Sequence, residues 1–372
     1  MILQRIIQSL VLVLAVCSSS NVFAQGLAKD ILTASELTDA HKAAIRQFVD
    51  QNKDGLSESP EAVARSRKAL IANLQKEPKI SVAFRLEYAR LLGPVLRPLA
   101  ASDRDVNAIN ALTLAGELAT TSGIDILGDR LADKRAAVRF AAVDGFTATF
   151  SAIETTSPAI APAQQAIRAI STLKSAMEKE TDANVLEAYC LALRAATKVP
   201  SAKLEGVRPA AVKALSEAIS ARARATDDAT YDSAFRRSVN TAREALTVQA
   251  INEPQLPGDV VDAAAGMAGD VLACVLRRLT KGELDVTSED PKATEAALKV
   301  RADFVLIVAD AESSIQWANT AKGGNNFPPL KLAELIQQKK DSEFQTVVLR
   351  LIGPQGYLTN KPFPFKDDHF VK

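Results

Sequence analysis

Apolar residues recur at steps of three and four along nearly the whole chain after residue 36, and this periodicity leaves few folds open. A period of about 3.6 residues places such positions on one side of an α-helix, whereas the alternation of a half-buried β-strand is hard to find. Ala, the strongest helix former, is abundant, and 16 Gly and 16 Pro are few for 372 residues. The sequence therefore predicts an all-α protein.

Start and stop signals divide the chain into short helices joined by short turns. Ser59-Pro60-Glu61 is a typical start, because Ser caps the free N–H groups, Pro fits the first turn, and an acid there favours the helix dipole. Residues 80–100 form another helix, which Pro94 and Pro98 are expected to kink or divide because neither carries a backbone N–H.

One segment has the features of a helical repeat. Residues 128–146, GDRLADKRAAVRFAAVDGF, end one helix, turn through Asp133, and begin another helix with the pair Val138-Arg139. This arrangement resembles the HEAT (armadillo-type) repeat family, whose second helix begins after an Asp-containing turn with such a pair. The resemblance implies an inward-facing stripe of Val138, Ala142 and Phe146.

Two looser copies flank this segment. Val106 and Leu114 lie 32 residues before Val138 and Phe146 and take their places in the first copy. Val185 and Leu193 lie 47 residues after them and do so in the second copy. Neither copy keeps the Arg, and the unequal spacings leave the register open. A helix pair with one apolar face cannot bury that face alone, so neighbouring pairs stack. We expect a HEAT-like stack of helical pairs, an α-solenoid or an irregular helical array.

The first residues have the pattern of a cleavable secretory signal. Arg5 precedes an apolar run that ends at Val16, and a polar stretch leads to Val22-Phe23-Ala24. This predicts export to the periplasm or the exterior of a bacterial cell. A lipoprotein alternative would acylate Cys17, but Val16 is larger than the residue such signals place before the cysteine.

The domain organisation follows from these patterns. The predicted segments are a signal peptide over 1–24, a HEAT-like region over 25–252, a C-terminal helical region packed on it over 253–352, and an extended tail over 353–372. The tail contains Tyr357, three Phe and several Pro residues, too many breakers for a helix. It either packs back along the helices or docks onto a partner, and the cost of exposing Phe to water favours packing back.

The charge balance narrows the choice of partners. The chain has 45 basic and 44 acidic residues, and loss of Arg5 with the leader leaves 44 of each. Such a chain has no overall field to attract nucleic acid or anionic lipid, so no nucleic-acid partner is expected. The pairs Arg236-Arg237 and Arg277-Arg278 are interpreted as solvated helix faces. No run after the leader reaches the roughly 18 apolar residues of a membrane span.

The mature chain contains two cysteines, Cys190 and Cys274, each among apolar residues at helical spacing. A free cysteine in such surroundings behaves as a small hydrophobe, so buried thiols are expected. An oxidising compartment would also permit a disulfide between them. The oligomeric state stays open.

Residues 50–61, DQNKDGLSESPE, raise the question of a calcium site. Asp50, Asn52, Asp54 and Glu61 stand at four of the ligand steps of an EF-hand, which this stretch resembles, and Gly55 stands at the sharp turn. Several features oppose it: Ser57 replaces the usual aliphatic residue, Pro60 adjoins the last ligand, and no second loop is present. The alternative is a polar turn followed by an ordinary helix start.

The sequence contains few residues and motifs that are typical of catalytic sites. The chain has two histidines, His41 and His369, and it lacks HExxH, CxxC, GxSxG and Walker-type patterns. We assign no catalytic residue and no cofactor besides the calcium just considered. The expected function is an exported, non-catalytic scaffold that binds another protein. The alternatives are a calcium-dependent binding module that uses residues 50–61, and a helical hydrolase or lyase with an acid-lined pocket.

Overall fold

The computed structural model describes residues 26–75, 80–156, 159–247, 253–283, 291–324 and 328–370, without the side chains of 291–294 and 296. Across these residues the chain is all-α, with 15 α-helices and no β-strand. The predicted signal peptide lies outside the described residues. None of the helices in the described part combines the length and apolar character needed to cross a bilayer.

The chain forms two compact units, residues 1–114 and 115–372. The predicted division between residues 252 and 253 borders residues 248–252, which lie outside the described part. The first unit contains α1 to α4 and the first part of α5, with these bounds: α1 Lys29–Thr33, α2 Asp39–Lys53, α3 Pro60–Ala72, α4 Val82–Ala100 and α5 Asp105–Leu118. A short 3-10 turn, Asp54–Ser57, joins α2 to α3.

The core of the first unit forms where α2 packs on α3 and α4. Ile45 of α2 and Leu70 of α3 are fully buried together with Phe84 and Tyr88 of α4. The two rings stack with their centroids 5.0 Å apart, and Tyr88 Oη donates a hydrogen bond of 3.1 Å to the carbonyl of Leu70. The buried hydroxyl therefore has an acceptor, as burial requires.

Helix α4 continues through both of its prolines, so they do not divide it, which was one of the two outcomes expected of them. Pro94 and Pro98 lie one turn apart on the exposed side, and Arg90 lies on the same side one turn earlier. Each proline frees the carbonyl four residues before it. Those carbonyls, of Arg90 and Pro94, face water, which can replace the missing donor.

The second unit is a two-layered array. Its helices are α6 Thr121–Gly128, α7 Ala136–Thr155, α8 Ala163–Met177, α9 Ala183–Thr197, α10 Val207–Ala225, α11 Asp232–Thr247, α12 Gly258–Thr280, α13 Pro291–Ala321, α14 Leu332–Gln337 and α15 Asp341–Ile352. Helices two apart in sequence pack side by side, which gives an even row of α6, α8, α10 and α12 and an odd row of α7, α9, α11 and α13. Helix α14 packs on α13, and α15 packs on α12.

The stripe predicted on α7 is confirmed, since Val138, Ala142 and Phe146 are all buried. Val185 and Leu193 on α9 are buried in the same way. For the earlier copy, the predicted inward position is confirmed at Leu114, which is buried, but it is wrong at Val106, which is 36% exposed. Residue 106 has the sequence position of an inward residue, but no element in the described part of the chain buries it.

Arg139, the second residue of the Val-Arg pair, joins two successive turns of the array. Its guanidinium donates to the carbonyl of Asp133 at 2.9 Å and to the carboxylate of Glu180 at 2.7 and 2.8 Å. Glu180 lies in the turn before α9 and also accepts from the backbone N–H groups of Thr181 and Asp182. Since both groups are half-buried or buried, this charge-assisted bridge fixes the position of α9 relative to α7.

A buried arginine holds the last helices of the array together. Arg278 of α12 is 1% exposed, with Nη1 2.5 Å from Asp232 of α11 and Nε 2.6 Å from Glu283. Its guanidinium also lies 4.5 Å from the ring centroid of Phe304 on α13. The interpretation of this arginine as part of a solvated face is therefore wrong, because side chains from α11, the following turn and α13 cover it.

The C-terminal tail packs back on α12, as the sequence favoured. A Cβ atom at Gly266 would lie 2.8 Å from the ring of Phe365, and one at Gly269 would lie 2.5 Å from the ring of Phe370. Leu358, Phe363 and Phe370 are buried. The two glycines thus form notches into which the aromatic rings fit.

Candidate functional site

The four residues of the calcium hypothesis do not share one loop. Asp50 and Asn52 lie within α2, Asp54 begins the 3-10 turn, and Glu61 lies in the first turn of α3. Lys53 Nζ lies 2.6 Å from Asp50 Oδ1, and the amide of Asn52 donates to the carbonyl of Phe48 at 2.8 Å. Both potential ligands are therefore engaged within their own helix.

The surroundings of this segment also have an explanation without metal. Arg104 donates to the carbonyls of Ser57 and Glu58, both at 3.1 Å, so a cation already contacts the turn. A Cβ atom at Gly55 would overlap Ser66 Oγ of α3, which accounts for the glycine. Within the described ranges, no three Asp, Glu, His or Cys residues cluster as metal ligands do. The calcium interpretation stays a prediction, and equal melting temperatures in excess chelator and in millimolar calcium would exclude it.

The two histidines lie in separate units. His41 Nε2 lies 4.0 Å from Asp30 Oδ2 on α1. His369 lies in the tail, beside Arg224 and Asp270.

Both cysteines are free and buried, so the expectation of buried thiols is confirmed. Burial raises the pKa of each thiol to about 12. Neither sulfur is therefore a nucleophile near neutral pH.

The candidate site lies on the odd row. A cavity of about 290 Å³ opens between α9, α11 and α13 and is lined by polar side chains. They are Arg194, Ser233, Arg236, Arg237, Asn240 and Asp310. We call this feature the arginine cavity. Its position follows from the array, because α11 lies between α9 and α13 in the odd row.

Ion pairs between neighbouring helices shape the arginine cavity. Arg194 of α9 lies 3.0 Å from Glu244 of α11, and Arg237 of α11 lies 2.5 Å from Glu187 of α9. The partners in each pair are 50 residues apart in sequence. These reciprocal pairs fasten α9 to α11 at two levels.

The third acid of the cavity is Asp310 of α13. Arg243 Nε lies 2.9 Å from Asp310 Oδ1, although its N–H lacks hydrogen-bond geometry towards that oxygen. Burial is the main influence on this carboxyl and raises its pKa, against the opposing effect of Arg243. The odd row therefore carries an ion pair between α11 and α13 as well.

The cavity has more donors than acceptors. Among the residues that the structure describes, Arg236 makes no hydrogen bond or ion pair, and its side chain is exposed. The Nε–H groups of Arg194 and Arg243 also make no hydrogen bond within the described part of the chain. Each guanidinium presents five N–H donors and no acceptor, so three acids cannot satisfy four arginines. The arrangement can accept an anion from outside.

Exposed apolar side chains lie one helical turn from residues that line the arginine cavity. Leu191 lies one turn before Arg194 on α9, and Leu306 lies one turn before Asp310 on α13; they are 37% and 40% exposed. Trp317, further along α13, is 41% exposed. Scattered exposed leucines are ordinary, but leucines beside a cavity rich in arginine, with a tryptophan nearby, have the composition of a protein interface.

Sequence analysis did not find this site. It identified the pair Arg236-Arg237 and interpreted it as a solvated face, which describes Arg236 but not the ion-paired, half-buried Arg237. The missing information was the pairing of residues 50 apart. A spacing equal to one helical pair was the available signal, since the looser copy at Val185 already suggested 47 residues.

Comparison with known proteins identifies no family for this chain. No family model matches this chain. No curated protein matches it. Among solved structures, it is similar to an engineered protein from the Northeast Structural Genomics Consortium, at 14% identity and a TM-score of 0.32, over 75% of this chain and 98% of that one. A likeness at that level carries no argument about fold or function.

Proposed function

We propose that this protein is an exported, non-catalytic helical-repeat scaffold, HEAT-like in its repeats, that binds another protein through its odd row. The observation that carries the proposal is the arginine cavity, with the exposed Leu191 and Leu306 one helical turn from the residues that line it. Arg and Trp are enriched at the centres of protein interfaces, where they contribute most of the binding energy. Stacked helical pairs offer extended surfaces of this kind.

The leader supports export, and the ion pairs support a rigid surface. Because Arg194 and Arg237 are held by Glu244 and Glu187, the side chains around the cavity are already ordered before a partner arrives. Pre-ordered side chains reduce the entropy lost on binding. A scaffold needs this property more than it needs a reactive group.

The test is capture of envelope proteins on the immobilised mature chain, with two matched variants. The double variant Leu306→Ser and Trp317→Ser should lose the captured proteins, because it removes the apolar contacts of the odd row. Leu86→Ser, which changes another exposed leucine on α4, should retain them. The proposal fails if the captured set is the same for both variants. Intact-mass measurement on exported protein tests the leader, with cleavage expected after Ala24.

A further inference from the structure

We propose that the arginine cavity binds a carboxylate side chain of the partner protein, with Arg236 as the principal donor. This inference rests on the proposed function and specifies the chemistry of its partner: an acidic residue flanked by apolar residues. The carboxylate would enter between α9, α11 and α13, and the flanking side chains would lie on Leu191 and Leu306.

The charge count supports a single added negative charge. The cluster contains four arginines, Arg194, Arg236, Arg237 and Arg243, and three acids, Glu187, Glu244 and Asp310, which leaves a surplus of one positive charge. One carboxylate would neutralise that surplus. A phosphate dianion would exceed it, and the nearby acids would repel the excess charge.

The unsatisfied donors support the same conclusion. Arg236 lines the cavity, is exposed, and makes no hydrogen bond or ion pair with another described residue, so its N–H groups are open to a ligand. A carboxylate has two oxygens and about four acceptor positions, enough for a fork-like contact with Arg236 and a further N–H group. Three arginines in one cavity supply planar donors that suit this geometry better than lysines would.

The volume of the arginine cavity and the exposed leucines near it favour a peptide over a small anion. A volume of about 290 Å³ holds one acidic side chain with room for part of its backbone. A free inorganic anion would gain nothing from Leu191 and Leu306, whereas the neighbours of an acidic residue in a peptide would cover them. Burial of their apolar surface is favourable, so these contacts would add to the ionic one.

The experiment is an NMR titration of the full mature protein with arginine side chains labelled by nitrogen-15. The probes are acetyl-Leu-Glu-Leu-amide, its Gln counterpart and inorganic phosphate. We expect saturable shifts of the arginine Nε–Hε signals with the Glu peptide, and binding at least about tenfold weaker with the Gln peptide and with phosphate. Arg236→Gln should weaken binding of the Glu peptide by a similar factor.

Arg168→Gln is the matched control, because Arg168 is an exposed arginine on α8 in the even row. This variant should bind the Glu peptide as the wild type does. Equal binding of the Glu and Gln peptides, equal binding of phosphate, or wild-type binding by Arg236→Gln would overturn the inference. In envelope capture, retention of partners by Arg236→Gln together with their loss in the Leu306→Ser, Trp317→Ser variant would refute the carboxylate contact and leave the proposed function intact.

Discussion

His369 Nε2 lies 4.0 Å from Oδ2 of Asp270, and this pair joins the end of the tail to a carboxyl that is fully buried in α12. The same oxygen accepts from the hydroxyl of Ser220 and, at 3.1 Å, from Arg224, while Oδ1 has no partner in the described part of the chain. Burial is the largest influence and raises the pKa of Asp270 to about 6, against the opposing effects of Ser220, Arg224 and Arg277. The tail therefore covers a titrating group.

The first prediction concerns Asp270→Asn and pH. The folded protein binds the proton of Asp270 more tightly than the unfolded chain, so this carboxyl stabilises the fold below its ordinary pKa of 3.8, and that stabilisation is lost as pH rises through about 6. Asp270→Asn has no carboxyl to ionise, so it does not lose stability in this way as pH rises. Its unfolding free energy relative to wild type should therefore rise between pH 4 and pH 7, by at most about 3 kcal/mol.

Urea unfolding at several pH values measures this difference. Asp103→Asn, at an exposed carboxyl in the first unit, serves as the control. If the difference in unfolding free energy between Asp270→Asn and wild type stays constant with pH, burial does not raise the pKa of this carboxyl.

The second prediction concerns the notch at Gly269. In Gly269→Ala the new methyl would lie 2.5 Å from Phe370 and 2.7 Å from Leu358, so the tail should lift from α12 and chymotrypsin should cleave it faster. Adding Phe370→Ala should restore part of the space and of the resistance. Gly258→Ala is the control, because nothing lies within 4 Å of a Cβ there. Equal cleavage rates for the Gly269 and Gly258 variants would contradict the packing.

The third prediction concerns Arg278. Arg278→Met should lower the unfolding free energy by about 3–5 kcal/mol, because it leaves Asp232 buried without its cation. Arg277→Met removes the more exposed pair with Asp227 and should cost about 1 kcal/mol or less. Asp232→Asn in the Arg278→Met background should recover part of the loss. Similar losses in the two single variants would show that burial does not distinguish these neighbouring arginines.

The fourth prediction concerns the thiols. Cys190 and Cys274 should resist a thiol reagent in the native protein, since burial raises their pKa and excludes the reagent, and both should react at once in denaturant. Absorbance with an aromatic disulfide reagent counts them. Two thiols titrated only after unfolding is the expected result, and fewer than two would indicate a disulfide instead.

Local patterns predicted the helices and their inward faces, because periodicity and caps depend on neighbours a few residues away. Val138 and Val106 show where such patterns stop being sufficient: both follow an Asp-containing turn, yet one is buried and the other is exposed. Asp50 is a second example. It stands at a position typical of a calcium loop, yet it lies within helix α2. Burial and ligand geometry depend on which distant helices pack together.

The arginine cavity lay beyond sequence analysis for the same reason. Arg236 and Arg237 are adjacent in the chain, and only the packing of α11 against α9 gives Arg237 its acid, whereas Arg236 pairs with no acid among the described residues. The burial of Arg278 likewise requires Phe304 from α13.

Site-specific photo-crosslinking in the envelope tests the central claim most directly. A photoreactive phenylalanine analogue placed at Leu306 contacts any protein bound to the odd row, and the same analogue at Leu86 reports the exposed surface of α4. The account predicts a discrete crosslinked partner from position 306 that is absent from position 86. No crosslinked partner at 306, or the same partners from both positions, would contradict it.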